Sequence, residues 1–416
     1  MKVLIVSLYF PPAGGGGVQR PLKLATHLPE LGIETHVLAP DDPRWLHRDE
    51  ELPLPPNATV HRARYLGPSG RKLAEELHGV SGLRRELVRA RSLGRRLLVP
   101  DENVSWNATA IPAAVRIARQ RRIDVVITTS PPASVHLVGA AVTKASGARW
   151  VADLRDSLVA HPHRRAERRL VRAKEKTSEW VARLVAQSDG IVAVSDAIAD
   201  EARALHPKGP VAMIANGSDF DDFDGLEYRR GERFRITHTG SFFGKRDPRP
   251  FLTALAQSGL DAEVRFLGDF RSADRSWAEE LGLGDRLRIL PYAPRRESLE
   301  LQRDSEALLL LIPDAGGRGK GVLSGKVFEY LAAERPILAL VPPDGAAADL
   351  IRETGAGLVV APDDVEGIRS ALAELEGSRR AGELDGTPLS QEWRDRLSRR
   401  TRAKDYATFL EEVVGR

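Results

Sequence analysis

VLSGKVFEYLAAERPILAL, residues Val322 to Leu340, is the stretch whose reading decides the fold. Ser324 and Gly325 form a loop that opens a helix carrying Lys326 and Glu329, and Pro336 begins an apolar run that reads as a buried strand. The first turn of such a helix presents N–H groups with no intrahelical partner, and an ammonium beside them completes a site for phosphate. Glu329 lies one turn further along, where a carboxylate accepts two hydrogen bonds from vicinal hydroxyls such as those of a ribose. Together these features describe a pocket for a nucleoside diphosphate. A surface helix with a solvated Lys and Glu is the plain alternative.

Outward from this stretch the chain alternates apolar strand-like runs with helical patterns. On its amino-terminal side, Phe234 to Thr239 reads as a strand and GSFFGKRDPRPFL turns from it into a helix. In that loop Gly240, Ser241 and Gly244 allow a tight turn, and Lys245 and Arg246 can approach a pyrophosphate. Ala262 to Leu267, Leu287 to Leu290 and Ala307 to Ile312 continue the sheet. Beyond the central stretch, Ala346 to Arg352 and Asp364 to Leu375 read as helices, TGAGLVVAP as a strand, and Gln391 to Val414 as one long helical pattern.

The amino-terminal half follows the same alternation. Val3 to Ser7 is a continuous apolar run, hence a parallel strand covered on both faces. The loop YFPPAGGGGVQR follows, then a helix with Val18, Leu22, Ala25 and Leu28 on one face and Pro29 late enough to kink it. Gly14 to Gly17 allow a backbone to approach a ligand closely, but they match neither GxGxxG nor a Walker A loop. Ile33 to Ala39 and Thr59 to Ala63 continue the sheet, and a helix covers roughly Trp106 to Gln120. Asp124 to Thr129 is a strand leading to SPPASVH, a helix start with proline in its first turn and His136 at its end. Trp150 to Ala152 leads a strand ending in Asp153, Arg155 and Asp156. Polar residues crowding the carboxyl end of a buried parallel strand mark the mouth of an open α/β sheet, where ligands bind. Asp189 to Val194 is another strand, with Ser195 or Asp196 capping the next helix. Val211 to Ala215 then precedes NGSDFDDF, whose Asp219, Asp221, Asp222 and Asp224 read as solvated linker charge in preference to a metal site.

Composition limits the classes open to the chain. Its 416 residues give room for two or three domains with large cores. The absence of cysteine removes disulfides and thiolate metal sites and suits a reducing compartment. MKVLIVSLYFPP has too short an apolar run for a secretory signal, and no run approaches the ~18 apolar residues of a membrane span. A cytoplasmic protein is expected, soluble or peripheral at the inner face of the membrane. Lys and Arg number 62 against 58 Asp and Glu. The basic charge concentrates in Leu83 to Leu98 and in His163 to Lys176, which fit either docking on an anionic lipid surface or an Arg-rich solvated helix face. Neither interleaves aromatic stacking residues, so nucleic acid is not expected as a partner.

Val322 to Leu340 resembles the donor-binding segment of family four of the retaining nucleotide-sugar glycosyltransferases. The resemblance extends to the glycine loop, SPPASVH, WVADLRD, the Asn-Gly-x-Asp element at NGSD and LPYAPRRESLELQRDSEALLLLIP. It implies an α/β GT-B fold, two doubly wound Rossmann-like domains facing each other across a cleft. Residues 1–222 would form the acceptor-side domain, joined by a terminal helix of about 395–416 crossing back, and residues 223–394 the nucleotide-sugar domain. The family carries a Glu, seven intervening residues and a second Glu; Glu329 matches the second, while Gly321 stands at the first. The donor site so implied comprises Gly16, Gly17, Ser241, Lys245, Arg246, Tyr292, Ala293, Gly321, Leu323, Ser324, Gly325, Lys326 and Glu329, with backbone near Tyr292 walling the nucleobase. Ser241 replaces one of two basic residues that hold the leaving diphosphate. Catalytic positions are Asp153, Arg155, Asp156 and Lys326, with Arg155 where many members have a histidine. Arg20 and His136 are acceptor-side candidates, and a structural role within its helix stands beside the acceptor role for His136.

The implied reaction moves a sugar, with retention, from a nucleoside-diphosphate sugar to a hydroxyl acceptor: a sugar, a lipid-linked group or a small molecule. It would serve polysaccharide, glycolipid or secondary-metabolite glycoside synthesis, without metal and without cofactor beyond the donor itself. A nucleotide-sugar epimerase or a non-catalytic donor-binding subunit are the rival readings.

Overall fold

The computed structural model describes the whole chain except residues 43–46, 68–97, 159–168, 243–244 and 385, and of residues 169–175 it describes the backbone alone. The first Arg-rich stretch therefore falls outside the described residues up to its last member, and of the second only the Lys176 side chain is described. Met1–Ala215 with Arg399–Arg416 makes one compact unit and Asn216–Ser398 the other. Those divisions differ by a few residues from the 222/223 and 394/395 expected from sequence.

In the first unit the strands are Lys2–Ser7 (β1), Glu34–Pro40 (β2), Ala58–Ala63 (β3), Val125–Ser130 (β4), Arg149–Leu154 (β5), Gly190–Ala193 (β6) and Val211–Met213 (β7). They form one parallel sheet in the order β3-β2-β1-β4-β5-β6-β7. Its helices are Gln19–His27 (α1), Asn107–Arg121 (α2), Val135–Ser146 (α3), Arg169–Val185 (α4) and Asp196–Arg203 (α5). Val3 to Val6 are wholly buried because helices cover both faces of the sheet, which is why these strands read as unbroken apolar runs. β1 lies between β2 and β4, so the connections leave it in opposite directions and a crevice opens at its carboxyl end.

The second unit repeats the plan. Phe234–Thr239 (β8), Ala262–Leu267 (β9), Leu287–Leu290 (β10), Ala307–Leu311 (β11), Ile337–Leu340 (β12) and Gly357–Val360 (β13) form a parallel sheet ordered β10-β9-β8-β11-β12-β13. Arg249–Ser258 (α6), Ser272–Glu280 (α7), Arg295–Arg303 (α8), Gly325–Ala333 (α9), Ala346–Thr354 (α10) and Val365–Ala381 (α11) accompany it. β8 pairs with β9 on one side and β11 on the other, in register Ala307 to Ile236, and is the switch point here. Two doubly wound α/β units are thus present.

Several local expectations need correction. α1 stops at His27 and Pro29 begins a short 3₁₀ turn, so the proline ends the helix where a kink was expected. Pro131 and Pro132 lie ahead of α3, not in its first turn. Ser195 occupies the cap position of α5, yet its hydroxyl makes no capping bond. The long terminal pattern is two helices, Gln391–Leu397 (α12) and Arg399–Gly415 (α13), separated where the backbone becomes extended at Ser398 (φ −64°, ψ 136°). α12 belongs to the second unit. α13 belongs to the first, where Tyr406, Phe409, Leu410 and Val413 are buried with Val3, Ile5 and Leu22.

Candidate active site

In the second unit, polar groups converge at the carboxyl end of β8. Gly240 follows that strand with φ +115°, a backbone region that L side chains rarely adopt. A Cβ there would lie 2.5 Å from Lys326 Nζ, so the glycine leaves the space through which the Lys326 side chain passes. Lys326 is the second residue of α9, whose cap position is Ser324 with extended backbone and no side-chain capping bond. The ammonium therefore sits beside uncapped amides at a helix start.

Its surroundings are positively charged. Lys326 Nζ is 3.2 Å from His238 Nε2. Burial and then the nearby Arg246 guanidinium push Lys326 well below the usual lysine range, with Glu329 pulling the other way. Burial and then Lys326 likewise hold His238 well below the usual histidine range. An ammonium disfavoured by burial and by a nearby guanidinium gains from an anion, so the arrangement suits one.

Glu329, one turn along α9, is held from two directions. Arg295 Nη1 donates to its Oε2 and Gln302 Nε2 to its Oε1, both at 2.6 Å. Arg295 also donates to Asp222 at 2.7 Å, so one of the acidic residues expected to be solvated linker charge is instead an ion-pair partner. Burial disfavours the Arg295 charge, but Glu329 and Asp222 outweigh it and raise the guanidinium above its ordinary value. The bonds from Arg295 and Gln302 fix the orientation of the Glu329 carboxylate. The Tyr330 hydroxyl accepts from Thr239 N at 2.8 Å and ties α9 to the end of β8, and burial pushes that phenol up to about 12.

The other donor-side candidates surround this point with less commitment. Ser241 exchanges hydrogen bonds with Asp269, its Oγ donating to Oδ2 and accepting from the amide, both at 3.1 Å. Arg246 Nη1 donates to the Ser241 carbonyl at 3.3 Å, and Lys245 is exposed. Tyr292 is half-buried and Ala293 buried just ahead of α8. Gly321 and Leu323 are half-buried in the approach to α9, and Gly325, its first residue, is exposed.

In the first unit the candidates fall into two groups. Arg20 and Asp153 form a buried pair, 8% and 0% exposed. Arg20 Nε and Nη2 donate to the Asp153 carboxylate, Nη2 also to the Ile214 carbonyl and Nη1 to that of Ala215, and Tyr406 bears on the same guanidinium. Thr129 Oγ1 donates to Asp153 at 2.7 Å. Burial alone raises the Asp153 carboxyl, and the Arg20 guanidinium overrides it and holds the group below its ordinary value. Arg20 is thus directed into the interior, where Asp153 balances its charge. His136 is wholly buried, its Nδ1 2.9 Å from Thr128 Oγ1, and burial pushes it down to about 3, so it is a neutral core histidine and not an acceptor contact.

Arg155 and the glycine loop make the second group. The guanidinium donates to the carbonyls of Gly17, Ser130 and Pro131 and lies over the Tyr9 ring at 5.7 Å. It therefore ties the β1 loop to the β4 loop across the switch point. Gly16 and Gly17 are exposed in a 3₁₀ turn directly before α1, and Asp156 is half-buried beside Arg155.

Sequence reasoning passed over His238, Arg295 and Gln302. Arg295 carried one usable signal: an arginine in the first turn of a helix opposes the helix dipole and calls for an acidic partner. His238 carried none, because a lone histidine in a buried strand reads as core.

The comparisons agree with this architecture. No curated protein matches the sequence. Among solved structures, sucrose-phosphate synthase from Thermosynechococcus elongatus aligns over 100% of this chain and 99% of its own, with TM-score 0.70 and 14% identity. HepE from Anabaena, solved with UDP and glucose, aligns over 99% and 100% with TM-score 0.63 and 14% identity. A glycosyltransferase from Rickettsia africae aligns over 99% and 98% with TM-score 0.61 and 12% identity. The shared architecture is GT-B. The description of Glycosyltransferase Family 4 matches residues 14–222, half of the chain. The chain belongs to Glycosyltransferase Family 4.

Proposed function

We propose that this protein transfers a sugar, with retention, from a nucleoside-diphosphate sugar to a hydroxyl acceptor, holding the donor diphosphate at Lys326. The observation that carries the reading is Lys326 at the uncapped start of α9, its side chain passing over Gly240 with the Arg246 charge near enough to act on it. HepE, which shares the fold, has been solved with UDP and with UDP-glucose.

Breaking the sugar–phosphate bond leaves negative charge on the departing diphosphate and cation-like character at the anomeric carbon. Lys326, Arg246 and the Gly325 amide stabilise the first of these. The acceptor oxygen bonds to the anomeric carbon as the phosphate oxygen leaves, and the acceptor proton passes to that phosphate on the same face. No protein nucleophile and no metal enters this scheme. Glu329, oriented by Arg295 and Gln302, receives the ribose hydroxyls. Gly16, Gly17, Ser241, Lys245, Tyr292, Ala293, Gly321 and Leu323 line the donor, and Arg155 and Asp156 stand at the reacting centre.

A thermal-shift screen of UDP, GDP, ADP and dTDP identifies the base, since a ligand of the native state raises Tm. Turnover of the matching donors with a hydroxyl-acceptor panel, in excess chelator, should then yield product with the donor's anomeric configuration by NMR. An inverted product, or activity lost with chelator, contradicts the scheme. Glu329→Ala should raise donor KM and lower kcat/KM by about 1–3 kcal/mol, the scale of a charge-assisted hydrogen bond. Unchanged donor kinetics in that variant would remove Glu329 from the ribose. A solved neighbour named as a putative UDP-N-acetylglucosamine 2-epimerase from Listeria monocytogenes also shares the fold, at TM-score 0.53. Product formed without any acceptor would favour that chemistry.

A further inference from the structure

His238 is wholly buried in β8, yet polar groups meet its ring: the backbone of Leu309 and Gly240 and the Lys326 amine. Nδ1 lies 2.7 Å from the carbonyl oxygen of Leu309 on the neighbouring β11. A carbonyl can only accept, so Nδ1 carries the proton. Nε2 lies 3.2 Å from Lys326 Nζ, and with the proton on Nδ1 it presents its lone pair to that nitrogen. A ring that donates at one nitrogen and accepts at the other is neutral. Phe242 packs on the ring at 4.8 Å between centroids and Phe266 meets it edge-on at 6.3 Å, which fixes its plane.

A carboxylate at position 238 would hold Lys326 more strongly, but it would also cancel the charge that a diphosphate needs. Glu329 does bear on Lys326, yet its oxygens are turned to Arg295 and Gln302. Arg246, the other charged group facing Lys326, repels it. The Gly240 backbone also interacts with the His238 ring, more weakly than Leu309 does, and leaves the space through which the Lys326 side chain passes. What directs the amine is therefore an acceptor without charge.

We propose that His238 is a positioning residue that aims the Lys326 ammonium through an uncharged acceptor, so that the cation is held in place without being discharged. This rests on the donor-site reading above. The electrostatic consequence is that Lys326 stays available to the incoming diphosphate, while its side chain loses little further freedom on binding.

The test compares two amides. In His238→Asn the side-chain N–H takes the place of Nδ1 and keeps the bond to Leu309, but nothing reaches Lys326. In His238→Gln the amide oxygen takes the place of Nε2 and keeps the acceptor. Calorimetry with the full chain, using the nucleoside diphosphate found in the thermal-shift screen and inorganic pyrophosphate, should show about tenfold weaker binding of both ligands for His238→Asn, the lower range for a hydrogen bond to a charged group. His238→Gln should stay within about threefold of wild type. On a Lys326→Met background, His238→Asn should cost nothing more, which a general packing defect would not reproduce. Equal losses in the Asn and Gln variants, equal affinities in both, or an undiminished loss in the Lys326→Met background would each overturn the positioning role while the donor site stands. Wild-type protein that binds no diphosphate at all would overturn the donor site, and this inference with it.

Discussion

Lys326→Met is expected to lower kcat by about 10²–10³-fold, the cost of removing one preorganised donor from a developing anion, with a smaller change in donor KM. Methionine keeps most of the stem that passes over Gly240 and removes only the charge, so folding should be preserved. The larger effect on kcat follows because charge on the departing diphosphate grows as the bond breaks, and the ammonium interacts most strongly at that point. Steady-state kinetics with saturating acceptor would show this. A loss confined to KM, with kcat intact, would make Lys326 a ground-state contact only.

The same lysine gives binding a pH dependence of defined sign. Burial and Arg246 lower its proton affinity in the free protein, and a bound diphosphate raises it again. Between the free and bound values, binding takes up a proton, so affinity weakens as pH rises. Calorimetry in buffers of different ionisation enthalpy reads this uptake directly, well above the second phosphate pKa of about 6 so that the ligand's own titration does not contribute. Lys326→Met should abolish it.

The second large effect concerns stability. Asp153→Asn leaves the Arg20 guanidinium buried without its counter-charge and should cost about 3–5 kcal/mol. Equilibrium denaturation, followed through the transition of the first unit, measures it. Because Asp153 is held below its ordinary value, its stabilising contribution is fully present above the unfolded carboxyl value of about 3.9 and is lost as pH falls through the lower folded value. The variant should therefore lack that part of the acid sensitivity. A cost below about 1 kcal/mol would mean that the pair is solvated in solution.

The fold was legible because buried parallel strands carry their own marks. Phe234 to Thr239, Ala262 to Leu267 and Leu287 to Leu290 have the bounds expected from sequence, each a short stretch of apolar residues alternating with polar ones and closed by glycine or proline. The break at Ser398 was not legible: no proline or glycine interrupts that stretch, and the halves separate because they pack on different units. At the candidate site, Lys326 and Glu329 could be found because one helix carries both. Arg20 and Asp153 stand 133 residues apart, His238 and Lys326 88, and no local pattern announces such a pairing. Arg20 looked available for a ligand because sequence shows a charge without showing its partner.

Diffraction from crystals soaked with the nucleoside diphosphate selected by thermal shift tests the donor site most directly. Phosphate oxygens within hydrogen-bonding distance of Lys326 Nζ and the Gly325 amide, with ribose hydroxyls on Glu329, are the predicted result. Ligand density elsewhere, with the space over Gly240 empty, would contradict it.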